Sequence, residues 1–320
     1  MPTCLQGQYP WSGKTRFVAF LNSVRSACSL GDWQTRKNFM YTTIISAAQL
    51  QSLAMPHMVF DCTFDLAQPD AGEQAYRAAH IPGAVYAHLD TVLSAKTGPA
   101  MSGGRHPLPT QETFATWLSS VGFANGMQAV VYDRNGVNYA GRLWWMLKWM
   151  GHGAVAVLDG GLQAWQAAGG PVSAETETHK FSSNFVPAQP LSTLVATETV
   201  ASRLGRASQT IVDARAAPRF KGEVEPLDPV AGHIPGALNR PFSQNLGPDG
   251  KFKPADQLRA EFTALLGQRD PATVVHHCGS GVSANPNLIA MEIAGLGRTG
   301  LYAGGWSDWC SDPSRPFAQG

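Results

Sequence analysis

The sequence predicts an α/β protein made of two copies of one unit, each a parallel sheet with helices on both faces. Two observations carry this. Four landmarks occur twice in the same order, and short β-branched or apolar runs alternate with helical segments inside each unit. Strands that alternate with helices run parallel, and their crossovers cover both faces of the sheet. At 320 residues the chain also exceeds the usual size of a single core, so two domains are expected.

The landmarks follow one another along the chain. Val59-Phe60-Asp61 is answered by Ile211-Val212-Asp213, 152 residues on. Ala79-His80-Ile81-Pro82-Gly83-Ala84 returns as Gly232-His233-Ile234-Pro235-Gly236-Ala237 at a spacing of 153. Val130-Val131-Tyr132-Asp133 is matched by Val274-Val275-His276-His277-Cys278, which sets Asp133 against Cys278 at a spacing of 145. Leu158-Asp159-Gly160-Gly161 with Trp165 corresponds to Leu301-Tyr302-Ala303-Gly304-Gly305 with Trp309 at a spacing of 144. An offset that drifts so little identifies a tandem duplication. The first unit takes residues 40–170 and the second 191–320. Between them residues 171–190, rich in Ser, Thr, Glu and Pro and without periodicity, read as a linker.

Single elements can be assigned as well. Leu143-Trp144-Trp145-Met146-Leu147 reads as a buried helix stopped by Lys148, far too short to span a bilayer. Thr210-Ile211-Val212 and Thr273-Val274-Val275 are β-branched runs suited to buried strands. Between them, residues 255–266 show helical spacing through Leu258, Phe262, Leu265 and Leu266. Cys278 then falls just after a strand and before a helix, where ligands collect in open parallel sheets.

Hydrophobic residues make up 44% and charged residues 15%, as in a soluble globular protein, and the formal charge is +1 with no long run of one sign. This argues against nucleic-acid and membrane partners. The five cysteines (Cys4, Cys28, Cys62, Cys278, Cys310) are odd in number, widely spaced and free of any CxxC pair. Neither a disulfide framework nor a metal site is expected, and a reducing compartment such as the cytoplasm is the natural setting. Residues 1–39 hold five basic residues against one acidic residue, Asp32. They read either as an over-long start before Met40 or as a transit peptide, which would place the protein in mitochondria.

The chemistry concentrates in His277-Cys278-Gly279-Ser280-Gly281-Val282-Ser283-Ala284-Asn285-Pro286. Two glycines let the backbone curl tightly, Pro286 suits the first turn of a helix, and Ser283 or Asn285 could cap it. A strand, tight loop and helix in succession point backbone N–H groups toward the loop centre, where a thiolate or persulfide anion would be stabilised. His276 and His277 flank the cysteine, but neighbours on a strand point to opposite faces and cannot easily share one metal ion.

The two His-Ile-Pro-Gly-Ala boxes, the Cys278-Gly279-Ser280-Gly281-Val282 loop and the paired Gly-Gly…Trp endings resemble the tandem-domain rhodanese-like sulfurtransferases, over roughly residues 40–316. The resemblance implies two α/β domains, each around a five-stranded parallel sheet, with only the second active and no cofactor. The first unit agrees, since Asp133 stands where the second has its cysteine and cannot form a persulfide.

Within that family the loop resembles the group using 3-mercaptopyruvate, with neutral Gly279 and Ser280, more than the group using thiosulfate, whose loop carries cations. Thiosulfate is a compact dianion that favours cations beside the sulfur. The resemblance implies Cys278 as nucleophile, Ser280, His106 and Asp90 as a protease-like triad, and Arg219 as carboxylate clamp. It places Gly279, Gly281, Val282 and Ser283 in the donor subsite. Small-molecule sulfur donors and acceptors are expected as partners, with a thioredoxin-like reductant among the acceptors. Two departures stand out: Leu227 follows Glu225-Pro226 where that group has a second arginine, and Ser283 replaces the usual threonine. Lys221 and Arg240 are candidates to replace the missing cation. Thiosulfate as donor, and a non-catalytic persulfide-sensing module, remain as alternatives. A phosphatase does not, because the sixth position after Cys278 is Ala284 rather than the arginine that phosphate transfer needs.

Overall fold

The computed structural model describes residues 40–178 and 181–320. The expected leader at 1–39, with Cys4 and Cys28, lies outside the described residues, as do His179 and Lys180 in the expected linker. The first sheet is formed by β1 (Ile44–Ile45), β2 (His57–Asp61), β3 (Val85–Tyr86), β4 (Gln128–Tyr132) and β5 (Val155–Leu158), in the order β1-β5-β4-β2-β3. The second is formed by β6 (Thr193–Leu194), β7 (Thr210–Asp213), β8 (Leu238–Asn239), β9 (Val274–His277) and β10 (Gly300–Leu301), in the order β6-β10-β9-β7-β8. All pairings are parallel and the two orders are the same, so the duplication seen in sequence is a duplication of topology.

Helices α1 (Ala47–Gln51), α2 (Ala71–Ala78), α3 (Gln111–Ser120), α4 (Ala140–Trp149) and α5 (Gly161–Ala167) flank the first sheet. Helices α6 (Thr197–Ser202), α7 (Ala217–Lys221), α8 (Ala255–Leu266), α9 (Asn285–Ile293) and α10 (Gly305–Trp309) flank the second. Alternate strand residues serve different cores. Val59, Val130 and Leu158 pack with Leu162 and Trp165 in one cluster, and Ile211 and Val275 pack with Trp306 and Trp309 in another. Their neighbours Phe60, Val131 and Val157 share a third cluster with Val212, Val274 and Ile289, and that core runs without a break from one domain into the other.

The repeated His-Ile-Pro-Gly-Ala boxes turn out to be scaffold. His80 stacks on Tyr76 at 4.1 Å and its Nδ1 meets the Tyr76 carbonyl at 2.7 Å. His233 repeats both contacts with Phe220, at 3.9 and 2.8 Å. Each imidazole ties the end of a helix to the chain leading into β3 or β8.

Three expectations need correction or refinement. The strand at Thr273–Val275 begins one residue later and runs to His277, because Thr273 closes a 3-10 turn and donates its N–H to the Asp270 carbonyl. Lys148 does not end the buried surface of α4, whose ten residues are all buried. Its ammonium lies 2.6 Å from Glu292 of α9 and 4.0 Å from the Trp144 ring. The segment expected as the linker, 171–190, packs along the first domain: Phe185 is buried against Phe123 and His152, and Ser183 and Ala188 donate to carbonyls of that domain. Among the described residues no helix is long and apolar enough to cross a membrane.

The Lys148–Glu292 pair crosses the domain boundary, with side-chain exposures of 1% and 14%. Removing one partner strands a buried charge. Glu292→Ala should therefore cost about 3 kcal/mol in a urea melt, whereas Lys148→Met with Glu292→Leu should recover most of that loss.

Candidate active site

The cysteine loop is pinned from below by α10. Trp306 N–H donates to the Cys278 carbonyl and Ser307 N–H to the Gly279 carbonyl, both at 2.8 Å. This approach needs Gly305, whose φ is 62° and whose added Cβ would lie 2.7 Å from the Cys278 oxygen. The first domain repeats the device, since a Cβ on Gly161 would run into the Asp133 backbone carbonyl oxygen. The duplicated Gly-Gly pairs are thus explained by close passage beneath the two loops. The expected helix cap is not formed by Ser283 or Asn285. Ala284 occupies the N-cap position of α9, and the Asn285 amide turns back to donate to the carbonyls of Gly281 and Val282 at 3.1 and 2.7 Å. Pro286 does lie in the first turn, and of the expected donor-subsite residues Gly279, Gly281 and Val282 are buried while Ser283 is half-buried.

Cys278 is free and 1% exposed. Cys62 and Cys310 are free as well: burial, then the charges of Asp133 and Asp61, push the Cys62 thiol well up, and burial likewise raises that of Cys310. The three expected triad members come together across the domain boundary. His106 Nδ1 lies 2.7 Å from Ser280 Oγ, while its Nε2 lies 3.5 Å from Asp90 Oδ1. Asp90 Oδ1 is also 3.2 Å from Lys96 Nζ. Burial, reinforced by Lys96, holds His106 down to about 3, so its ring is neutral at physiological pH. The fitting tautomer carries its proton on Nε2, toward Asp90, and accepts the Ser280 hydroxyl at Nδ1.

Arg219, at α7, donates to both oxygens of Glu225, at 2.6 and 3.3 Å, and to Asp228 at 3.3 Å. The expected stand-ins for the missing second arginine are elsewhere. Lys221 is 52% exposed beside Glu223, and Arg240 is spent on Asn245 and Glu261. The second guanidinium comes instead from Arg105 of the first domain, whose Nη1 bonds Asp228. A Cβ added to Gly279 would meet Arg105 Nη2 at 2.8 Å and Arg219 Nη1 at 3.6 Å. Neither nitrogen donates to the acids, so two guanidinium edges converge over the loop beside Cys278. Arg105 is the residue of this site that the sequence does not single out; its one signal is its place next to His106.

Of the histidines flanking Cys278, His277 faces Asp213 (Nε2 to Oδ2, 3.6 Å) while His276 faces Met291 (Nε2 to Sδ, 3.2 Å). They serve opposite faces, as the strand geometry requires. Asp213 is gripped by Arg215, which also reaches Glu225 and so braces the acid that holds Arg219.

The first-domain loop shows what such a loop does with an anion. The Asp133 carboxylate accepts the backbone N–H groups of Asn135, Val137, Tyr139 and Ala140 at 2.8–3.0 Å. At the spacing of 145 these positions correspond to Ser280, Val282, Ala284 and Asn285 around Cys278.

The rhodanese-like domain family matches residues 46–168 and 196–312. A Pseudomonas aeruginosa protein with the name "Probable 3-mercaptopyruvate sulfurtransferase" is 44% identical over 280 residues, 87% of this chain and 98% of its own. A Mycobacterium tuberculosis protein carrying the name of a thiosulfate sulfurtransferase, SseB, is 36% identical over 280 residues, 87% of this chain and 97% of its own. Among solved structures, the 3-mercaptopyruvate sulfurtransferase SseA from Escherichia coli superposes with a TM-score of 0.72 at 32% identity, over 83% of this chain and all (100%) of that one.

Burial lowers His276 as well as His106 to about 3. The unfolded chain takes up these protons near pH 6.5, whereas the fold refuses them until about pH 3, so stability is complete above 6.5 and falls as the pH drops. The two together should cost about 3 kcal/mol between pH 7.5 and 5.5, read from the shift of the urea midpoint.

Proposed function

The chain belongs to the rhodanese-like family and is a sulfurtransferase, and from that premise we propose that it moves sulfur from 3-mercaptopyruvate to a thiophilic acceptor through a persulfide on Cys278. The observation that carries this reading is the convergence of Arg105 Nη2 and Arg219 Nη1 over Gly279. Two guanidinium edges on one side of the nucleophile suit a planar carboxylate. Glu225 and Asp228 balance the charge of the two arginines, so the subsite offers directed N–H groups more than net positive field. That favours a carboxylate with a thiol over a compact dianion.

In this reading the Cys278 thiolate attacks the donor sulfur. The new S–S bond forms as the donor C–S bond breaks, its electron pair passes to carbon, and the resulting enolate takes the proton released by the donor thiol to give pyruvate. Ser280, held by His106, passes that proton, and Asp90 steadies the tautomer. The cysteine loop then holds the persulfide anion as the first-domain loop holds Asp133, until cyanide, a small thiol or a reduced thioredoxin-like protein takes the sulfur. The 40–170 unit does not carry the transferred sulfur but supplies Asp90, Arg105 and His106; the 191–320 unit carries the nucleophile. Free cysteines fit a reducing compartment, and we assign the reaction to the cytoplasm.

The deciding measurement is kcat/KM for 3-mercaptopyruvate and for thiosulfate, with cyanide as acceptor. Mercaptopyruvate should be preferred by about tenfold or more, the worth of one charge-assisted hydrogen bond. A preference for thiosulfate reverses the donor, and no turnover with either, at a Cys278 that still alkylates, indicates a binding or sensing module. Cys278→Ser should abolish turnover. Arg105→Ala and Arg219→Ala should each raise KM for mercaptopyruvate about tenfold or more.

A further inference from the structure

We propose that Arg142, a residue of the domain without the cysteine, is a positioning residue of the sulfur-transfer site. One buried guanidinium holds the Asp90–His106 segment and the Cys278–Ser280 loop in register and keeps a positive charge against that loop. The proposal rests on the reading of Cys278 as the sulfur carrier.

Arg142 lies on α4 and is 0% exposed. Its Nη1 donates to the Gly281 carbonyl at 3.1 Å, its Nη2 to the His106 carbonyl at 3.0 Å, and Nε and Nη2 share the Leu93 carbonyl at 3.3 Å. His106 and Leu93 belong to the stretch that carries Asp90 and His106, and Gly281 follows Ser280 directly. The 2.7 Å contact between His106 and Ser280 is therefore flanked by a single rigid fork that touches the backbone on both sides.

The charge is the second part. All its acceptors are neutral carbonyls, and a buried cation without a carboxylate is costly to keep. Lys148, six residues on along the same helix, has Glu292 as its counter-ion. Burial pushes Arg142 down to about 10, still charged at neutral pH, and the ionisable group that favours its charge is the Cys278 thiol. An anion on that sulfur, thiolate or persulfide, supplies the missing partner. The duplication gives an internal comparison. The position 145 residues on is Asn287, also buried but neutral, and it bonds Asn245 and the Arg240 carbonyl. The cation occurs in the copy that reaches the cysteine loop.

The test compares the full chain with Arg142→Met and Arg142→Lys. Three quantities are read: kcat and KM for 3-mercaptopyruvate with cyanide, and the ratio of Cys278 alkylation rates by anionic iodoacetate and neutral iodoacetamide, with Cys278→Ser as background. In Arg142→Met, kcat should fall about 100-fold, as when reacting groups shift by about 1 Å, with KM within about twofold. The iodoacetate to iodoacetamide ratio should fall severalfold, which a purely structural role would not produce. Arg142→Lys should restore the ratio without restoring kcat, because an ammonium cannot span three carbonyls. A folded Arg142→Met with unchanged kcat and ratio overturns the proposal. If that variant fails to fold, an Arg142→Lys enzyme with wild-type kcat overturns it instead. A wild-type chain that alkylates at Cys278 yet transfers no sulfur sinks the underlying reading, a failure distinct from either of these.

Discussion

Helices α4 and α9 lie so close together that a Cβ added to Gly141 would come 3.0 Å from the Cβ of Asn285. Each helix starts where its domain's loop ends, so this contact fixes how the two loops sit relative to each other. The rest of the site follows from it. The continuous core, the Lys148–Glu292 pair and the reach of Arg142 to the Gly281 carbonyl all lie along the same seam. The cysteine loop of one domain can meet His106 and Arg105 of the other only if that seam does not slide, and close packing is what prevents sliding.

Duplication shaped the two loops differently. In the first, Asp133 brings its own carboxylate to four backbone donors, and the bonds help hold Val137 at a φ of 67°, a conformation that β-branched residues seldom adopt. Burial raises Asp133 overall although those same donors pull it down, and the four bonds make its side chain a built-in occupant of the loop. In the second, the corresponding residue is Cys278, which in the proposed reaction is a sulfur nucleophile whose charge comes and goes with the cargo. One loop geometry thus holds a built-in carboxylate in the first copy and, in the proposed reaction, a sulfur anion in the second.

Much of this could be read from the sequence because it is local or repeated. The four paired landmarks, the helix at 255–266 and the strand before Cys278 depend on periodicity and on backbone needs that recur in both halves. What sequence could not give depends on long-range docking. Arg105 reaches Asp228 across 123 positions, and nothing in the run Gly103-Gly104-Arg105 announces the loop it overhangs. Lys221 and Arg240 are the cations that the sequence offers in place of the one missing at Leu227, and the fold sends both to other acids. The cap assigned to Ser283 or Asn285 failed for a related reason: an amide that can cap a helix can also brace the loop before it, and here it does the latter.

The fully buried α4 has a further consequence, for synthesis of the chain. Its partner α9 lies about 145 positions later, so a ribosome working at about 5–20 residues per second leaves α4 half-covered for on the order of ten seconds. During that interval the face holding Arg142, Lys148 and apolar neighbours has no native cover. The first half by itself therefore leaves this charged and apolar face open, and its native cover arrives only with the second half.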